Sequence, residues 1–519
     1  MRLAALDLGS NSFHLIVVEA RADGSFEPLL REREMLRLGD VVAREGRLTD
    51  EAADAAVAAV SRLAALAGAM GVDETVACAT SAIREAENGS ELVDRIETET
   101  GVSVRVIGGR DEARLIFGAV RSCVVLEPAP AVCLDLGGGS LEVTVGDAGG
   151  LLWSTSLKLG VARLTAQLVR NDPPGPGDAR RLRKHVVAAL RPVAAEIADL
   201  GPRMLVVSSG TLVTLARMAA AEATGTVPTS LNQLRVRAKH LAVLHRQVMT
   251  MSSGERQRLP GLDSRRSDQL PAGSTLLAVA LELFGIDEVT VSGWALREGM
   301  ILDAIGHHDP MDWSADPRGM RRASVMSLCR RCNWDEAHAR QVARLATCLF
   351  DQTLPVHRLS AVDRELLDYG ALLHDIGEHV AADGHERHSA YLIEHGRLRG
   401  LDPDEVRLLS VLARFHRRGT PKASFPPFDA LDADDKERVA KLLALLRIAD
   451  GLDRSHAGAV DGLDAEVTPD AVTLVLDAAG DLDLELWGLR RKRELFERVF
   501  GRRLEVTTVG LTRELARGA

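Results

Sequence analysis

Aromatic side chains are scarce in this chain of 519 residues, at 3% of the total. Any hydrophobic core must therefore rest on Leu, Val, Ala and Ile. Cysteine is thin as well: the chain has 6, too few at this length for a disulfide framework. Cys329 and Cys332 have C-x-x-C spacing. No second pair completes a zinc site and no neighbouring strand pattern suggests a redox fold, so they read as ordinary thiols on a helix. A basic excess is also missing. The formal net charge is −10 and the pI is near 5.9, which argues against a duplex-binding protein and against nucleic acid as a partner. Any positive lining for an anionic substrate must be local. No uncharged run approaches the roughly 18 apolar residues that a membrane span needs. The N-terminus lacks the shape of a signal peptide. The expectation is a soluble, cytoplasmic protein of about three or four domains.

What the chain does have is one short phrase written twice. Asp7-Leu8-Gly9-Ser10-Asn11-Ser12 returns as Asp135-Leu136-Gly137-Gly138-Gly139-Ser140. Each phrase lies between two apolar runs, which reads as strand, tight polar turn, strand. A turn rich in Gly and Ser exposes backbone N–H groups with little side-chain bulk, so the main chain can close around a phosphate. One such turn is an ordinary hairpin signal. Two, at the heads of two halves, predict a cleft that grips phosphate from both sides.

Strand and helix patterns alternate over residues 1–125 and again over 126–305, predicting two α/β domains related by duplication. Thr49 or Asp50 should cap a helix reaching Met70, with Gly71 as its stop. A second helix is predicted from about Arg110 to Val120. Met204 to Val207 should be a strand running into the turn Ser208-Ser209-Gly210-Thr211. Residues 306–317 read as a linker, and 318–457 as an all-α domain containing a loop at 425–436. Residues 458–519 read as a small α+β appendage, with strands at Val472–Leu476, Leu482–Trp487 and Leu504–Val509 and a basic helix at Arg490–Phe500.

Phosphate chemistry needs a cation, a metal to bridge oxygens and a base to align water. Asp135 ends a predicted buried strand, and Glu142 starts the next one across the hairpin. Mg²⁺ takes one or two carboxylates together with phosphate oxygens, so this pair is a candidate Mg²⁺ site. It reads equally as a turn cap and a solvated carboxylate. Glu112 lies in the first turn of a helix, where an acidic residue also complements the helix dipole. Arg84 follows a strand and turn, where an isolated arginine is usually at the surface.

Five segments occur in order: Asp7 to His14, Ala82 to Glu85, Asp111 to Ile116, Asp135 to Glu142 and Ala295 to Gly299. Together they resemble the exopolyphosphatase/guanosine pentaphosphate phosphohydrolase (Ppx/GppA) family over residues 1 to about 305. The resemblance implies a duplicated actin/sugar-kinase-like (ribonuclease H-like) fold. It implies that Glu112 is the general base and that Asp135 and Glu142 hold Mg²⁺ or Mn²⁺. Phosphate oxygens would be bound by Gly9, Ser10, Asn11, Ser12, Arg84, Gly137, Gly138, Gly139, Ser140, Gly210 and Thr211. The implied activity is release of terminal phosphate from inorganic polyphosphate, or alternatively hydrolysis of guanosine pentaphosphate, by a homodimer. A regulatory protein that binds either molecule is an alternative of another class. Three departures stand out: Asp111 where the family usually has Glu, Leu141 for a common Thr, and the turn Ser208-Ser209-Gly210-Thr211, which has a single glycine where the family usually has Gly-Gly-Thr.

The helical region carries His338, His374-Asp375, His388, His416 and Asp450. That order resembles the HD phosphohydrolase superfamily, and imidazole with carboxylate suits Mn, Fe, Zn or Mg-type centres. His338, His374, Asp375 and Asp450 form a candidate second metal site, and an HD-centred phosphodiesterase or nucleotidase is a further alternative reading. Long members of the family carry an HD-like domain here, which implies an extension of the substrate channel and of the dimer contact. A positive track for polyphosphate could use Arg265-Arg266, Arg414 to Arg418 or Arg490 to Arg493.

Overall fold

Strand β1 (Arg2–Leu8) buries Leu3, Ala4, Ala5 and Leu6 in succession, as a strand covered on both faces must. It pairs antiparallel with β2 (Ser12–Ala20), which pairs antiparallel with β3 (Phe26–Met35). After a helical segment the chain returns in β4 (Glu74–Ala79), parallel to β1, and then in β5 (Val104–Val106). The sheet order is β3-β2-β1-β4-β5. This computed structural model describes residues 1–21, 25–126, 129–308, 317–478 and 482–508. They fall into two compact units, Met1–Met320 and Arg321–Ala519.

The first unit then repeats its topology. Strands β6 (Ala131–Leu136), β7 (Leu141–Asp147) and β8 (Gly150–Leu157) form a second antiparallel meander. β9 (Met204–Ser208) joins β6 in parallel, β10 (Arg235–Arg237) forms the far edge, and β11 (Glu288–Val291) pairs with both β9 and β10. The order is β10-β11-β9-β6-β7-β8. From the meander inward, both sheets begin third, second, first, fourth; the first then ends on its fifth strand, whereas the second continues to its sixth, β11, with the short fifth strand β10 at the edge. Leu3, Ala5 and Ile16 of the first half share one core with Cys133, Met300 and Ile301 of the second.

Thr49 caps the helix Asp50–Ala69, its side chain accepting from the Ala52 N–H at 3.3 Å. This helix is long and apolar enough by composition to cross a membrane. It nevertheless carries Asp50, Glu51, Asp54 and Arg62, and it packs Ala56, Val60 and Leu63 into the core of the first sheet.

In the second unit the helices Glu336–Gln352, Ala361–Leu373, His385–His395, Pro403–Phe415 and Ala433–Gly451 enclose a core rich in Leu and Val. A small sheet follows, β12 (Gly462–Val467), β13 (Ala471–Asp477) and β14 (Arg503–Thr508), in that order. The strand expected at Leu482–Trp487 is instead the opening of a helix, Asp483–Phe500. Leu482, Leu484 and Leu486 alternate as in a strand, but Leu482, Leu486 and Leu489 also have helical spacing. The helix wins because it buries Leu489 and Glu485, the latter accepting from the Ser455 N–H at 3.0 Å. Leu484 is left exposed. The loop expected at 425–436 contains a short helix, Pro426–Asp429, and the start of the helix from Ala433. Cys329 lies on the helix Pro317–Arg331 and Cys332 just beyond it, and both are buried. Burial pushes the Cys329 thiol up to about 12, which leaves it inert. Residues 309–316 of the expected linker and Val509 lie outside the described residues.

Candidate active site

The two repeated loops face each other. A Cβ added at Gly138 would lie 2.6 Å from Asn11 Oδ1, and one at Gly139 would lie 2.3 Å from Ser81 Oγ and 3.1 Å from Ser10 Oγ. Any side chain at either position would drive the loops apart. Their anchoring is also duplicated. The Ser10 and Asn11 carbonyls accept from the N–H groups of Gly39, Leu36 and Arg37, where the helix Leu38–Glu45 begins. The carbonyls of Gly137, Gly138 and Gly139 accept from Gly160, Val161, Ala162 and Arg163, where the helix Val161–Leu168 begins. In both loops the carbonyl side is thus committed to a helix start.

Carboxylates converge beneath the loops. Asp135 is directly opposite Glu142 in the β6–β7 register, as Asp7 is opposite His14 in β1–β2. Burial pushes Asp135 up to about 6, although the Ser208 hydroxyl donates to it at 2.5 Å and Arg297 lies near. Burial, then the charge of Asp135, raises Glu142 to about 7. Ser156 donates to Glu142 Oε1 at 2.8 Å, while the buried Oε2 has no partner among the described residues. Asp7 is raised to about 7 by burial and by Asp135, against the pull of Arg297. Glu112 is held well above its usual range by burial and by the negative charge of Glu142. Arg84 Nη1 donates to Glu112 Oε2 at 3.2 Å and to the Ile107 carbonyl at 2.6 Å. The structure therefore brings Glu112, Asp135, Glu142 and Arg84 together, which sequence spacing alone could not do. Buried carboxylates raised by one another, one with an orphaned oxygen, form a donor set that fits a hard divalent cation.

The other expected phosphate ligands are placed less uniformly. Ser10 Oγ accepts from the Ala82 N–H at 3.1 Å, and Asn11 Nδ2 donates to Gln269 Oε1 at 3.3 Å. Asn11 Oδ1 is buried with no partner among the described residues. Ser140 lies beside Glu142 and is counted among the donors that lower it. Ser12 turns toward His14, its Oγ 2.8 Å from Nε2. Arg297, which can only donate, reaches His14 Nδ1 at 3.2 Å, so Nε2 carries the proton and donates to Ser12. Burial first, then the charges of Arg297, Arg33 and Arg266, drives His14 down to about 2, and the ring stays neutral. Gly210 and Thr211 open the helix Gly210–Thr224 under Arg266. A Cβ at Gly210 would meet the Arg266 guanidinium at 2.1–2.7 Å, and Arg266 Nη1 donates to Thr211 Oγ1 at 3.4 Å.

Asp7, His14 and Arg297 were not assigned roles by the sequence. Asp7 was legible in principle, because it is the counterpart of Asp135 in the repeated phrase. Arg297 stood inside a recognised segment, but nothing local showed that it faces Asp7 and Asp135. Among the track candidates in this unit, Arg265 pairs with Asp263 at 2.9 Å.

Ser209, where the family usually has glycine, has φ 75° and ψ 156°. That region is nearly reserved for glycine and costs about 1–3 kcal/mol. Its side chain offsets part of this by accepting from the Leu136 N–H at 3.2 Å. Ser209→Ala should keep the strain, lose the bond and destabilise by about 1–2 kcal/mol. Ser209→Gly should relieve the strain and stay within about 1 kcal/mol of the parent. Urea unfolding of both variants checks this, and equal losses in the two would contradict it.

A mixed-sheet α/β unit with paired Gly- and Ser-rich turns over a buried carboxylate cluster defines the class of enzymes that act on phosphoryl groups. Residues 17–308 match the Ppx/GppA phosphatase family, and residues 320–486 match Ppx/GppA phosphatase, domain III. The chain belongs to the Ppx/GppA phosphatase family. It is similar to Exopolyphosphatase 1 of Mycobacterium leprae, at 35% identity over 63% of this chain and 94% of that protein. It is also similar to the guanosine-5'-triphosphate,3'-diphosphate pyrophosphatase of Aeromonas hydrophila, at 29% identity over 91% of this chain and 92% of that one. Among solved structures, an exopolyphosphatase from Cytophaga hutchinsonii superposes with a TM-score of 0.55 at 29% identity, covering 59% of this chain and 98% of that chain.

The raised carboxylates also set a stability profile. In the metal-free protein Asp135, Asp7 and Glu142 titrate near 6–7, against about 4 when unfolded. A raised native pKa contributes stability that is full below the unfolded pKa and lost as pH rises through the native one. The melting temperature without divalent cation should therefore fall between pH 5 and pH 8. The gain on adding a divalent cation should widen over the same interval, and a gain independent of pH would contradict this.

Proposed function

We propose that the protein is a Mg²⁺-dependent exopolyphosphatase that hydrolyses the terminal phosphoanhydride bond of inorganic polyphosphate. The observation that carries this reading is the placement of Glu112, raised in basicity, beside Arg84 and the Asp135–Glu142 pair under two facing loops. Asp135 and Glu142 would hold Mg²⁺, which supplies positive charge against the phosphate oxygens. The amides of both loops, with Ser10, Asn11, Ser140 and Arg84, bind and orient the terminal phosphoryl group. Arg266, over Gly210 and Thr211, adds a cation to the third loop. Glu112 accepts a proton from the water as that water attacks phosphorus in line. A carboxylate held above its usual range by burial is a better base at neutral pH than an exposed one. Guanosine pentaphosphate offers the same terminal anhydride and is the second substrate the site would accept.

We infer that the halves 1–125 and 126–305 form an actin-like pair, that 318–457 is an HD-like helical domain with 458–519 appended, and that the chain works as a homodimer. Mass measured in solution checks the dimer. Phosphorus NMR of a long polyphosphate digest tests the exopolyphosphatase reading. Orthophosphate with progressively shortened chains is expected, whereas early mid-chain fragments would contradict attack at the terminus.

A further inference from the structure

In the first unit, the helix Leu270–Phe284 packs between the helices Pro176–Ile197 and Ala238–Thr250. On its Ala238–Thr250 side opens a pocket of about 390 Å³, a volume within the range of small-molecule sites. Leu215, Leu241, Leu244, Leu277, Leu281 and Ile286 wall it, and each is buried. Ser274 also lines it, but its hydroxyl is engaged, 3.2 Å from the Pro271 carbonyl and 2.9 Å from His245 Nδ1. The carboxylates Glu282 and Asp287 lie at the exposed mouth. A pocket with leucine walls and no free polar side chain inside favours an apolar occupant, because a polar one would lose its water without replacement.

On the Pro176–Ile197 side of the same helix lies a groove of opposite character. Arg180, Arg183, Lys184 and Arg191 line it at helical spacing, and Glu282 is its one carboxylate among the described residues. In a chain of net charge −10, four cations against one carboxylate reverse the local field. Arg180, Lys184 and Arg191 are exposed and have no ion-pair partner among the described residues. Arg183 reaches across to both Glu282 oxygens, at 2.9 and 2.8 Å. The two side chains are 50% and 59% exposed, so the pair is weak and open to exchange. Pocket and groove are neighbours: Leu281 lines the first, Leu283 the second and Glu282 both.

We propose that this surface binds a free, single-chain anionic amphiphile, a fatty acid or monoalkyl phosphate, with its chain in the leucine pocket and its head in the cationic groove. The head replaces Glu282 on Arg183 and is held by the unpaired cations beside it. A bare polyanion would satisfy the groove and leave the pocket unused. A neutral or cationic amphiphile would fill the pocket and gain nothing from the groove. Only a ligand that is apolar at one end and anionic at the other uses both. The site is separate from the carboxylate cleft and does not depend on the exopolyphosphatase reading.

The test is titration calorimetry of the full chain with octyl, decyl and dodecyl phosphate, each kept below its micelle concentration. Saturable binding is expected, tightening about fourfold for each added methylene. Lys184→Gln should weaken dodecyl phosphate about tenfold, as for loss of a charge-assisted hydrogen bond. Glu282→Gln, which removes the competing carboxylate, should tighten it several-fold. Ala278→Trp, which fills the pocket, should abolish the dependence on chain length. Circular dichroism verifies that the variants fold, and if Ala278→Trp does not, the chain-length series on the parent decides. Affinity independent of chain length, or matched by inorganic phosphate, would overturn the proposal in favour of a plain anion site. Equal affinity for dodecyltrimethylammonium would overturn it, as would binding to vesicles of anionic lipid without binding to the monomeric phosphates.

Discussion

Glu112→Gln should lower phosphate release from polyphosphate by about 10³-fold, within the range for loss of a general base, while substrate affinity changes less than threefold. The amide keeps the size of the carboxylate and can still meet Arg84, whose Nη1 lies 3.2 Å from Oε2. It cannot take a proton from water. Arg84 also bonds the Ile107 carbonyl at 2.6 Å, so it stays in place when Glu112 loses its charge. The loops proposed to bind phosphate are anchored elsewhere, on the starts of the helices Leu38–Glu45 and Val161–Leu168. The expected signature is a fall in kcat with little change in Kd, measured by phosphate release and by equilibrium binding. Parent-level turnover would remove Glu112 from the mechanism.

Glu142→Gln should produce an effect of similar size with a different signature. Glu142 is 2% exposed, and its Oε2 has no partner among the described residues. Its ionisation is opposed by burial and by Asp135. The amide removes one proposed metal ligand and one buried charge together. Activity at fixed Mg²⁺ should fall by about 10²–10³-fold, comparable to losing one electrostatic group of an active site. The Mg²⁺ concentration for half-maximal rate should rise at least about tenfold, since binding at the site depends on carboxylate charge. The metal-free variant should melt above the metal-free parent at pH 8, because the parent carries the cost of ionising Glu142 there. A variant that loses activity while gaining apo stability is the mark of a residue kept for function. Unchanged Mg²⁺ dependence, or a lower melting temperature without metal, would contradict the assignment.

These predictions rest on features of unequal legibility. The hairpins at Asp7 and Asp135 could be read locally, because a turn between two apolar runs is decided by neighbouring residues. The expectation of two related halves followed from them, and the two sheets share the order third, second, first, fourth. Leu482–Trp487 misled because alternating leucines satisfy strand and helix periods alike, and burial of Glu485 and Leu489 settles the helix. Adjacent turns are equally ambiguous: His385 and His388 lie on one helix, His385–His395, and it is His385 whose Nε2 sits 3.0 Å from Asp375 Oδ1. The role of Arg297 depends on contact with His14 across 283 positions of sequence, which no local pattern encodes. The cations of the expected basic track also have partners of their own. Arg414 and Arg417 both lie near Glu386, at 3.5 and 3.9 Å, and Lys492 pairs with Asp450. These cations are therefore partly engaged by carboxylates of their own unit, and weak surface pairing of this kind still leaves Arg414 and Arg417 open to a polyanion.

The carboxylate cleft of the first unit is proposed to hydrolyse terminal phosphoanhydrides with Mg²⁺. This is tested most directly by phosphate release from long-chain polyphosphate and from guanosine pentaphosphate, each with Mg²⁺ and with chelator. Mg²⁺-dependent release is expected from both, with the higher kcat/KM on polyphosphate. Tight binding of either compound without Mg²⁺-dependent release from both would contradict it.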